Sequence, residues 1–404
     1  MKPTARADAE TEYQILTTDA GLALLARVSL VASPSPNDLT VWRKDASAEM
    51  VSAALRIADS RRRAKSKFSR ADQMWLEKTA LEQSTAEAVA RHKAQRFAGR
   101  RVVDLCCGIG GDAIAIAEHS EGVLAVDLDP AMLRRMRWNA DVYEVGNRIM
   151  PIIAKAESFP IPSGARIHID PDRRAKTTRK SKDLDGYVPS LDVLKSLPSR
   201  CGGGAIKLGP ASDFADHFAS SAWEIELVSL NGECKEATAW FGDLKAAKRR
   251  ATTLPSGATF TDREGDDRPR FSKLGAWIHE PDPALIRAGL VDRFASTLGL
   301  SRFASGIDLL TSAEPIASPW LSSFEVLEVL SHDLKVLQRA LTAFGFGSLE
   351  IKTRGVDTSP EELRKRLRLE GTVPGTLFML GGTKPRLAIF ARRTEPQFTP
   401  GRVF

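Results

Sequence analysis

The chain has 404 residues, 43% of them hydrophobic and 27% charged, and a formal net charge of +7. This length exceeds one typical core, so we expect two or three domains, and the composition excludes a largely disordered chain. No apolar run could cross a bilayer and residues 1–13 lack a signal-peptide core, which predicts a cytoplasmic protein without membrane partners. The positive charge is compatible with a polyanionic partner.

Cysteine and histidine spacing argues against a metal site. Cys106, Cys107, Cys201 and Cys234 show neither a paired zinc spacing nor a disulfide framework, so we interpret them as reduced packing residues. The six histidines are scattered, and we predict no metal. His168 falls in a predicted strand and is interpreted as buried structure.

Residues 1–98 are predicted to form a helical N-terminal domain. From Thr11 onward, apolar residues recur at intervals of three and four, as in "DAGLALLARVSLV" and "ASAEMVSAALRIADSRRRAKSKF". The basic run from Arg61 to Lys67 is equally compatible with RNA contact and with a solvated helix end.

Residues 99–255 are predicted to form an α/β domain. Short β-branched runs such as "RVVDLCC", "GVLAVDLD" and "ARIHID" alternate with helical stretches, which indicates a parallel sheet covered by helices. The runs "WEIELVSL" and "EATAWFG" flank Asn231-Gly232, which predicts an antiparallel hairpin that closes the sheet.

Residues 256–404 are predicted to contain a linker and a second α/β domain. "SFEVLEVL" alternates as a strand, and "SHDLKVLQRALTAF" has the period of a helix that ends at Gly345. Ser359 and Glu362 in "TSPEELRKRLRL" form a capping-box pattern. "SLEIKTR", "GTLFML" and "RLAIFAR" supply three further strands.

A glycine-rich turn between a strand and a helix predicts a nucleoside cofactor. Gly108, Gly110 and Gly111 let the backbone approach a ligand, and Asp127, one strand later, can accept hydrogen bonds from ribose hydroxyls. The turn formally fits a dinucleotide pattern as well. Asp104 favours S-adenosylmethionine (SAM), because an acid before the turn repels a pyrophosphate and suits a cationic methionine moiety.

At this point the chain resembles a known family. "DLCCGIGGDAIAIA" with "VLAVDLDPAMLRRMRWNA" resembles motifs I and II of class I SAM-dependent methyltransferases. Together with "LPSGAT", "FEVLEVL" and "LEIKTRGVD", the pattern over residues 65–393 resembles bacterial methyltransferases with a THUMP-like C-terminal domain. Their catalytic core is similar to that of trimethylguanosine synthases. The resemblance implies a Rossmann-like methyltransferase sheet between the helical and THUMP-like domains.

The predicted cofactor contacts follow from these motifs and from the strands beside them. The family offers an Asp after the third strand, where this chain has Lys155, and either Glu157 or backbone groups could take its place. The full set of predicted cofactor-binding residues is Asp104, Cys106, Gly108, Gly110, Gly111, Asp112, Asp127, Leu128, Glu157 and Asp170.

The methyl acceptor is predicted to lie at the end of the fourth strand, in "HIDPDRR". Asp170 and the carbonyl of Pro171 could accept hydrogen bonds from an exocyclic amine and orient its lone pair. Amine-directed methyltransferases carry an aromatic residue after the proline, whereas this chain has none. Arg173 could stack on a base through its guanidinium plane or hold a phosphate.

A second interpretation concerns a ribose hydroxyl. Asp170, Lys207 and Glu236 resemble, in order, the last three members of the Lys-Asp-Lys-Glu tetrad of ribose 2′-O-methyltransferases. A desolvated lysine in a central strand can serve as a general base, or it can simply form an ion pair. Lys67, Lys78 and Lys93 are all candidates for the first lysine. The predicted catalytic residues are Asp170, Lys207 and Glu236.

A basic run follows the predicted acceptor position. Six of the ten residues in "RRAKTTRKSK" are basic, and such a segment can neutralise phosphates without reading sequence. With Pro171, the predicted substrate-binding residues are Arg173, Arg174, Lys176, Arg179 and Lys180. RNA, transfer or ribosomal, is the expected partner, and the THUMP-like resemblance implies the same.

Three functions remain open from the sequence. The first is a SAM-dependent methyltransferase that acts on a base amine or a ribose 2′-hydroxyl of RNA. The second is a catalytically inactive protein that binds SAM and RNA, which the altered acceptor motif would explain. The third is a small-molecule methyltransferase.

Overall fold

The computed structural model describes residues 3–172, 184–381 and 386–394. The chain divides into two units, residues 1–225 with 236–246, and residues 226–235 with 247–404. The predicted domain limits at residues 98 and 255 stay a prediction. None of the described helices is long and apolar enough to cross a membrane.

The first unit begins with a helical segment, as predicted. Its helices are α1 (Pro3–Thr17), α2 (Asp19–Ser29), α3 (Pro36–Trp42), α4 (Ala48–Ala64), α5 (Lys78–Gln83) and α6 (Glu87–Ala94). Thr18, Ser35 and Ser47 accept hydrogen bonds from backbone amides in the first turns of α2, α3 and α4, which explains why these helices start there. Buried apolar residues such as Val28, Trp42 and Ile57 form the core of this segment.

The remainder of the first unit is a sheet with helices between its strands. In chain order the elements are β1 (Arg101–Leu105), α7 (Gly111–His119), β2 (Gly122–Asp127), α8 (Pro130–Val142), β3 (Ile149–Ile153), β4 (Arg166–Ile169), α9 (Leu191–Arg200), β5 (Gly203–Leu208), α10 (Phe214–His217), β6 (Trp223–Leu230) and β7 (Glu233–Gly242). These strands belong to a nine-stranded sheet, in which they run in the order β3-β2-β1-β4-β5-β7-β6. Residues 226–235, which include parts of β6 and β7, are assigned to the second unit. Strands β1 to β5 pair in parallel, and β7 pairs antiparallel with β5.

The hairpin predicted at Asn231-Gly232 is present between β6 and β7. Both turn residues have positive φ, 53° and 76°, as a type I′ turn requires. The order of strand addition reverses between β1 and β4, which lie side by side although β2 and β3 come between them in sequence. Ligands of open α/β sheets bind at the carboxyl ends of strands at such a switch point.

The second unit contains a seven-stranded mixed sheet. The elements of this unit are β8 (Arg249–Leu254), β9 (Ala258–Thr261), β10 (Trp277–Pro281), α11 (Pro283–Ala288), α12 (Val291–Thr297), β11 (Ser301–Arg302), β12 (Leu310–Ser312), β13 (Leu321–Leu330), α13 (Leu334–Phe344), β14 (Phe346–Arg354), α14 (Pro360–Arg366), β15 (Val373–Leu380) and β16 (Leu387–Arg393). Strands β8 and β9 pair antiparallel with each other and are not part of the seven-stranded sheet. The sheet order is β11-β12-β10-β13-β16-β15-β14.

The local signals predicted for this unit are observed. Gly345 ends α13 in the left-handed region with φ 66°, and Ser359 and Glu362 form the capping box of α14. Phe324 and Phe378 meet edge to face at 5.0 Å within one buried cluster of the unit. Amphipathic patterning and capping therefore determine these elements locally.

Candidate active site

A cavity of about 390 Å³ opens at the carboxyl ends of β1, β2 and β4. Nearly all of the predicted cofactor contacts line it, the exception being Gly110. Those that line it are Asp104, Cys106, Gly108, Gly111, Asp112, Asp127, Leu128, Glu157 and Asp170. Residues 77–85, around α5, supply a further wall that the sequence did not predict.

The glycine turn shapes the cavity through its backbone. Gly110 has φ 89° and precedes α7, and a Cβ built there would lie 2.7 Å from Met136 Cγ. Gly108 has φ 54°, and a Cβ there would meet nothing within 4 Å, which leaves open space on the cavity side. Only glycine adopts both conformations without strain. Gly110 therefore acts by packing, and Gly108 by leaving room for a ligand.

Asp127 and Leu128 form a part of the cavity lining that suits a nucleoside. Asp127 Oδ2 accepts a hydrogen bond from Gly108 N at 2.9 Å, and Oδ1 accepts one from Asp129 N at 2.9 Å. Burial raises the pKa of Asp127. Leu128 lines the cavity although it is 59% exposed, and Glu157 lies nearby, with Lys155 exposed to solvent. An exposed leucine beside an anchored carboxylate offers an apolar surface for a base and acceptors for ribose.

Asp104 also lines the cavity and lies beside His168. The two residues are paired in register on β1 and β4, so their side chains meet, with Asp104 Oδ1 2.6 Å from His168 Nδ1. Asp104 Oδ2 is buried and has no hydrogen-bond partner among the described residues. A buried carboxylate oxygen without a partner is costly, which makes this atom a suitable acceptor for the ammonium group of a methionine moiety.

Glu236 lies in a buried cluster behind the cavity. Lys93 Nζ is 2.8 Å from Asp112 Oδ1 and 2.7 Å from Glu236 Oε1, and all three side chains are at most 7% exposed. Thr85 Oγ1 donates to Asp112 Oδ2 at 2.6 Å. Burial alone would raise the pKa of Asp112, but Lys93 and His168 hold it well below its ordinary value. Lys93 therefore stays charged and holds the two acids together.

Asp170 and Lys207 form an ion pair at the predicted acceptor position. Lys207 Nζ lies 2.6 Å from Asp170 Oδ2 and also donates to the carbonyl of Gln83 at 3.0 Å. Asp170 and Pro171 line the cavity, whereas Lys207 and Glu236 are absent from its described lining. The structure thus brings Lys207 to Asp170, but places Glu236 with Lys93.

The start of the predicted substrate loop is fixed to the rim of the cavity. Asp172 and Val188 form a two-way backbone bridge, each amide donating to the other's carbonyl at 2.9 Å. Gln83 Nε2 donates to Asp172 Oδ1 at 3.2 Å. Arg173, Arg174, Lys176, Arg179 and Lys180 lie outside the described residues, and their role stays a prediction.

The three candidates for the first tetrad lysine have different surroundings. Lys67 Nζ donates to the carbonyls of Leu81, Glu82 and Ser84 at 2.7 to 3.1 Å. Lys78 is exposed at the start of α5. Lys93 reaches Glu236 but is 1% exposed and absent from the described cavity lining. A four-residue acceptor site of the ribose-directed kind is therefore not assembled on the cavity wall by the described residues.

Sequence reasoning left Gln83 and Thr85 unnamed and did not choose Lys93. A signal for Lys93 was available, because α6 buries Val89, Ala90, Lys93 and Ala94 on one face, and a lysine on such a face needs a partner. Gln83 and Thr85 carry no such signal, since their contacts join segments far apart in the chain.

The cysteines beside the glycine turn have little thiolate character. Burial raises the pKa of the Cys106 and Cys107 thiols, and nearby carboxylates add to this effect. Among residues 3–172, 184–381 and 386–394, no group of His, Cys, Asp or Glu side chains is arranged to hold a metal ion.

Comparison with known proteins shows which families match parts of the chain and which relative it resembles. The family described as RNA cap guanine-N2 methyltransferase matches residues 99–197, and the THUMP domain-like family matches residues 321–393. An uncharacterized S-adenosylmethionine-dependent methyltransferase of Mycobacterium tuberculosis is 35% identical over 305 residues, which are 73% of this chain and 81% of that protein.

One solved structure resembles most of the chain. The crystal structure of a putative methyltransferase from Porphyromonas gingivalis W83 superposes with a TM-score of 0.74 at 22% identity. The match covers 93% of this chain and 98% of that one. At this identity the likeness concerns the fold.

Proposed function

Because this chain belongs to the S-adenosylmethionine-dependent methyltransferases, we propose that it methylates RNA, at an exocyclic amine of a base. The observation that carries the proposal is Asp170, an acid at the carboxyl end of β4 that lines the cofactor cavity and is followed by Pro171. Bound SAM supplies an electrophilic methyl group on its sulfonium. The protein's task is to position the acceptor and its lone pair.

The cavity residues suit both ends of the cofactor. Asp127 and Leu128 would hold the ribose and adenine, and the unpartnered Asp104 Oδ2 would receive the ammonium group. Gly108 leaves open space at the cavity. The acids at positions 104 and 127 suit a cationic ligand and disfavour a pyrophosphate.

The acceptor amine would donate to Asp170 and to the carbonyl of Pro171, which orients its lone pair toward the methyl group. Lys207 supports this role from behind, because its ion pair with Asp170 and its bond to the Gln83 carbonyl fix the carboxylate. A ribose hydroxyl would instead need Lys207 as a base at the cavity, where the described lining lacks it. The amine is therefore the acceptor that we favour.

RNA is supported as the substrate by two features. The segment from Arg173 to Lys182 contains six basic residues. Asp172, directly before this segment, and Val188, six residues after it, line the cavity. Basic side chains in this segment would neutralise phosphates beside the acceptor position. The matched families, RNA cap guanine-N2 methyltransferase and THUMP domain-like, are consistent with an RNA substrate.

The experiment is nucleoside mass spectrometry of total RNA from cells with and without this protein. We expect one N-methylated nucleoside to disappear in its absence and to return with the wild-type gene but not with an Asp170→Asn gene. Disappearance of a 2′-O-methyl nucleoside would overturn the amine assignment. An unchanged RNA profile, with methylation of a small molecule by the purified protein, would overturn the RNA assignment.

A further inference from the structure

His168 is the centre of a buried group of charged side chains next to the cofactor cavity. The imidazole is fully buried on β4. Its Nδ1 lies 2.6 Å from Asp104 Oδ1, and its Nε2 lies 3.4 Å from Lys93 Nζ and 3.9 Å from Asp112 Oδ1. The ring of Phe97 packs edge to face against the imidazole, with 6.3 Å between the two ring centroids. Two carboxylates and one ammonium therefore surround a single imidazole away from solvent.

Asp104 connects this group to the cavity. One of its oxygens is held by His168, and the other is buried and has no partner among the described residues. Asp104 is also one of the residues that line the cavity. A carboxylate can accept hydrogen bonds at both oxygens. Asp104 is thus placed to bridge a protein cation and a ligand cation.

We propose that His168 is a positioning residue that shares Asp104 with the ammonium group of the cofactor, so that cofactor binding releases a proton from His168. The inference depends on cofactor binding, which the family membership supports, and it does not depend on RNA or on the acceptor atom. The proton leaves from Nε2 to the solvent. Nδ1–H continues to donate to Asp104, and Nε2 becomes an acceptor for Lys93.

The charges around His168 set the direction of this effect. Burial would lower the pKa of His168, but Asp112 and Asp104 outweigh it and raise the pKa above its ordinary value. The other charged groups of the cluster are Lys93 on α6, Glu236 on β7 beside Lys93, Lys207 on β5 and Asp170 directly after β4. The free protein therefore holds the imidazolium to higher pH than an exposed histidine would.

A second cation at Asp104 reduces the stabilisation that this carboxylate gives to protonated His168. An ammonium at Oδ2 repels the imidazolium, so the pKa of His168 falls when the ligand binds. By linkage, the ligand binds more tightly to the protein whose His168 is neutral, and affinity rises as pH increases through the pKa of His168 in the free protein. Where a whole proton is released, the dissociation constant falls about tenfold per pH unit.

The test is calorimetry with S-adenosylhomocysteine, the demethylated product, which carries the same ammonium and is not consumed. Titrations in two buffers of different ionisation enthalpy, repeated from pH 6 to 9, give the number of protons released. For the wild type we expect the number of protons released per ligand to pass through a maximum with pH, at a value between zero and one. The control variant His119→Gln, which replaces an exposed histidine on α7, should show the same maximum. His168→Gln should lose that maximum while it still binds the ligand.

A second measurement needs no variant at His168. Histidine-selective NMR of the wild-type protein should reveal one buried imidazole whose titration midpoint falls when S-adenosylhomocysteine is added. Equal proton release in wild type and His168→Gln, or no shift of any midpoint, would overturn the inference. Absence of ligand binding at every pH would overturn it together with the cofactor assignment. Proton release without RNA methylation would leave the inference standing and remove only the proposed function.

Discussion

At the scale of single residues, the chemistry depends on pairs that come from different strands. Asp170 and Lys207 follow the paired residues Ile169 and Ile206 on β4 and β5, so their side chains meet at the strand ends. Asp104 and His168 are register partners on β1 and β4. The sequence was enough to single out each of these residues. The identity of each partner depends on strand order and register.

Substitution of Asp170 tests the acceptor site. We expect Asp170→Asn to lower kcat by about 10²-fold or more. A neutral amide oxygen accepts a weaker hydrogen bond from the substrate amine than a carboxylate does, and it cannot form an ion pair with Lys207. The affinity for S-adenosylhomocysteine should change by less than about tenfold. Methyl transfer to RNA and calorimetry measure the two quantities. Asp192→Asn, an exposed acid in the first turn of α9, is the matched control and should retain activity.

Two substitutions of Lys207 separate support of Asp170 from general-base catalysis. Lys207→Gln removes the cation beside Asp170 and should lower kcat by roughly tenfold or more. Lys207→Arg keeps a cation and should recover much of the activity. Arginine does not lose its proton in proteins, so a general base at this position could not be replaced by it. The measurement is kcat as a function of pH. Equal and complete loss of methyl-transfer activity in both variants would therefore favour a ribose hydroxyl as acceptor.

At the scale of elements, local sequence signals determined several helix boundaries. Side-chain caps start α2, α3, α4 and α14, and glycine ends α13. The basic run that begins in the last turn of α4 was ambiguous in the sequence. In the structure Arg61 donates to the carbonyls of Gln73 and Met74, and Arg63 and Lys65 pair with nearby acids. Most of these cations are thus engaged within the helical segment.

The glycine turn gives a prediction in which fold and ligand effects separate. Gly110→Ala should destabilise the protein by about 1–3 kcal/mol, because its Cβ would overlap Met136 and its φ of 89° is strained for alanine. Gly108→Ala should weaken S-adenosylhomocysteine binding more than stability, since its Cβ would occupy open space at the cavity. Gly99→Ala, with φ 65° and no atom near its Cβ, controls for backbone strain alone. Thermal unfolding measures the loss of stability in each variant, and calorimetry measures its affinity for S-adenosylhomocysteine. Equal ligand affinity in all three variants would contradict the prediction.

At the scale of the whole molecule, the two units should differ in their response to pH. His279 in the second unit is buried between Ser323 and Ser312, at 2.8 and 2.7 Å. Burial lowers the pKa of His279 to about 4. A histidine with a lowered pKa in the folded state stabilises the fold above its unfolded pKa, and this contribution is lost as pH falls from about 6.5 to 4.

We therefore expect the free energy of unfolding of the second unit to fall by up to roughly 3 kcal/mol over that pH range, on account of His279. Urea unfolding monitored at several pH values measures this dependence. In His279→Gln the dependence should be smaller, whereas His119→Gln should retain it. An unchanged pH dependence in His279→Gln would contradict the assignment.

Binding of RNA should depend on salt through the basic segment after Asp172. Neutralising Arg173 and Arg174 together should reduce the slope of log affinity against log salt by about 0.7 to 0.9 for each phosphate that these side chains neutralise in the wild type. Arg63→Gln with Lys65→Gln removes the same charge from the helical segment and should leave the slope nearly unchanged. Equal slopes in both double variants, measured by fluorescence anisotropy with structured RNA, would argue against phosphate binding by Arg173 and Arg174.

The sequence by itself determined the cofactor and the class of fold, because the glycine turn, Asp104 and Asp127 lie within one short stretch and their chemistry is local. It also placed Asp170 at a strand end beside a basic segment. Only the tertiary structure decided that Lys207 pairs with Asp170, that Glu236 pairs with Lys93, and that His168 holds Asp104. Those pairings depend on which strands are neighbours, in what register, and on which helix covers them. Residues 37 or 64 positions apart, as in the first and last of these pairs, carry no sequence pattern that reveals such a pairing.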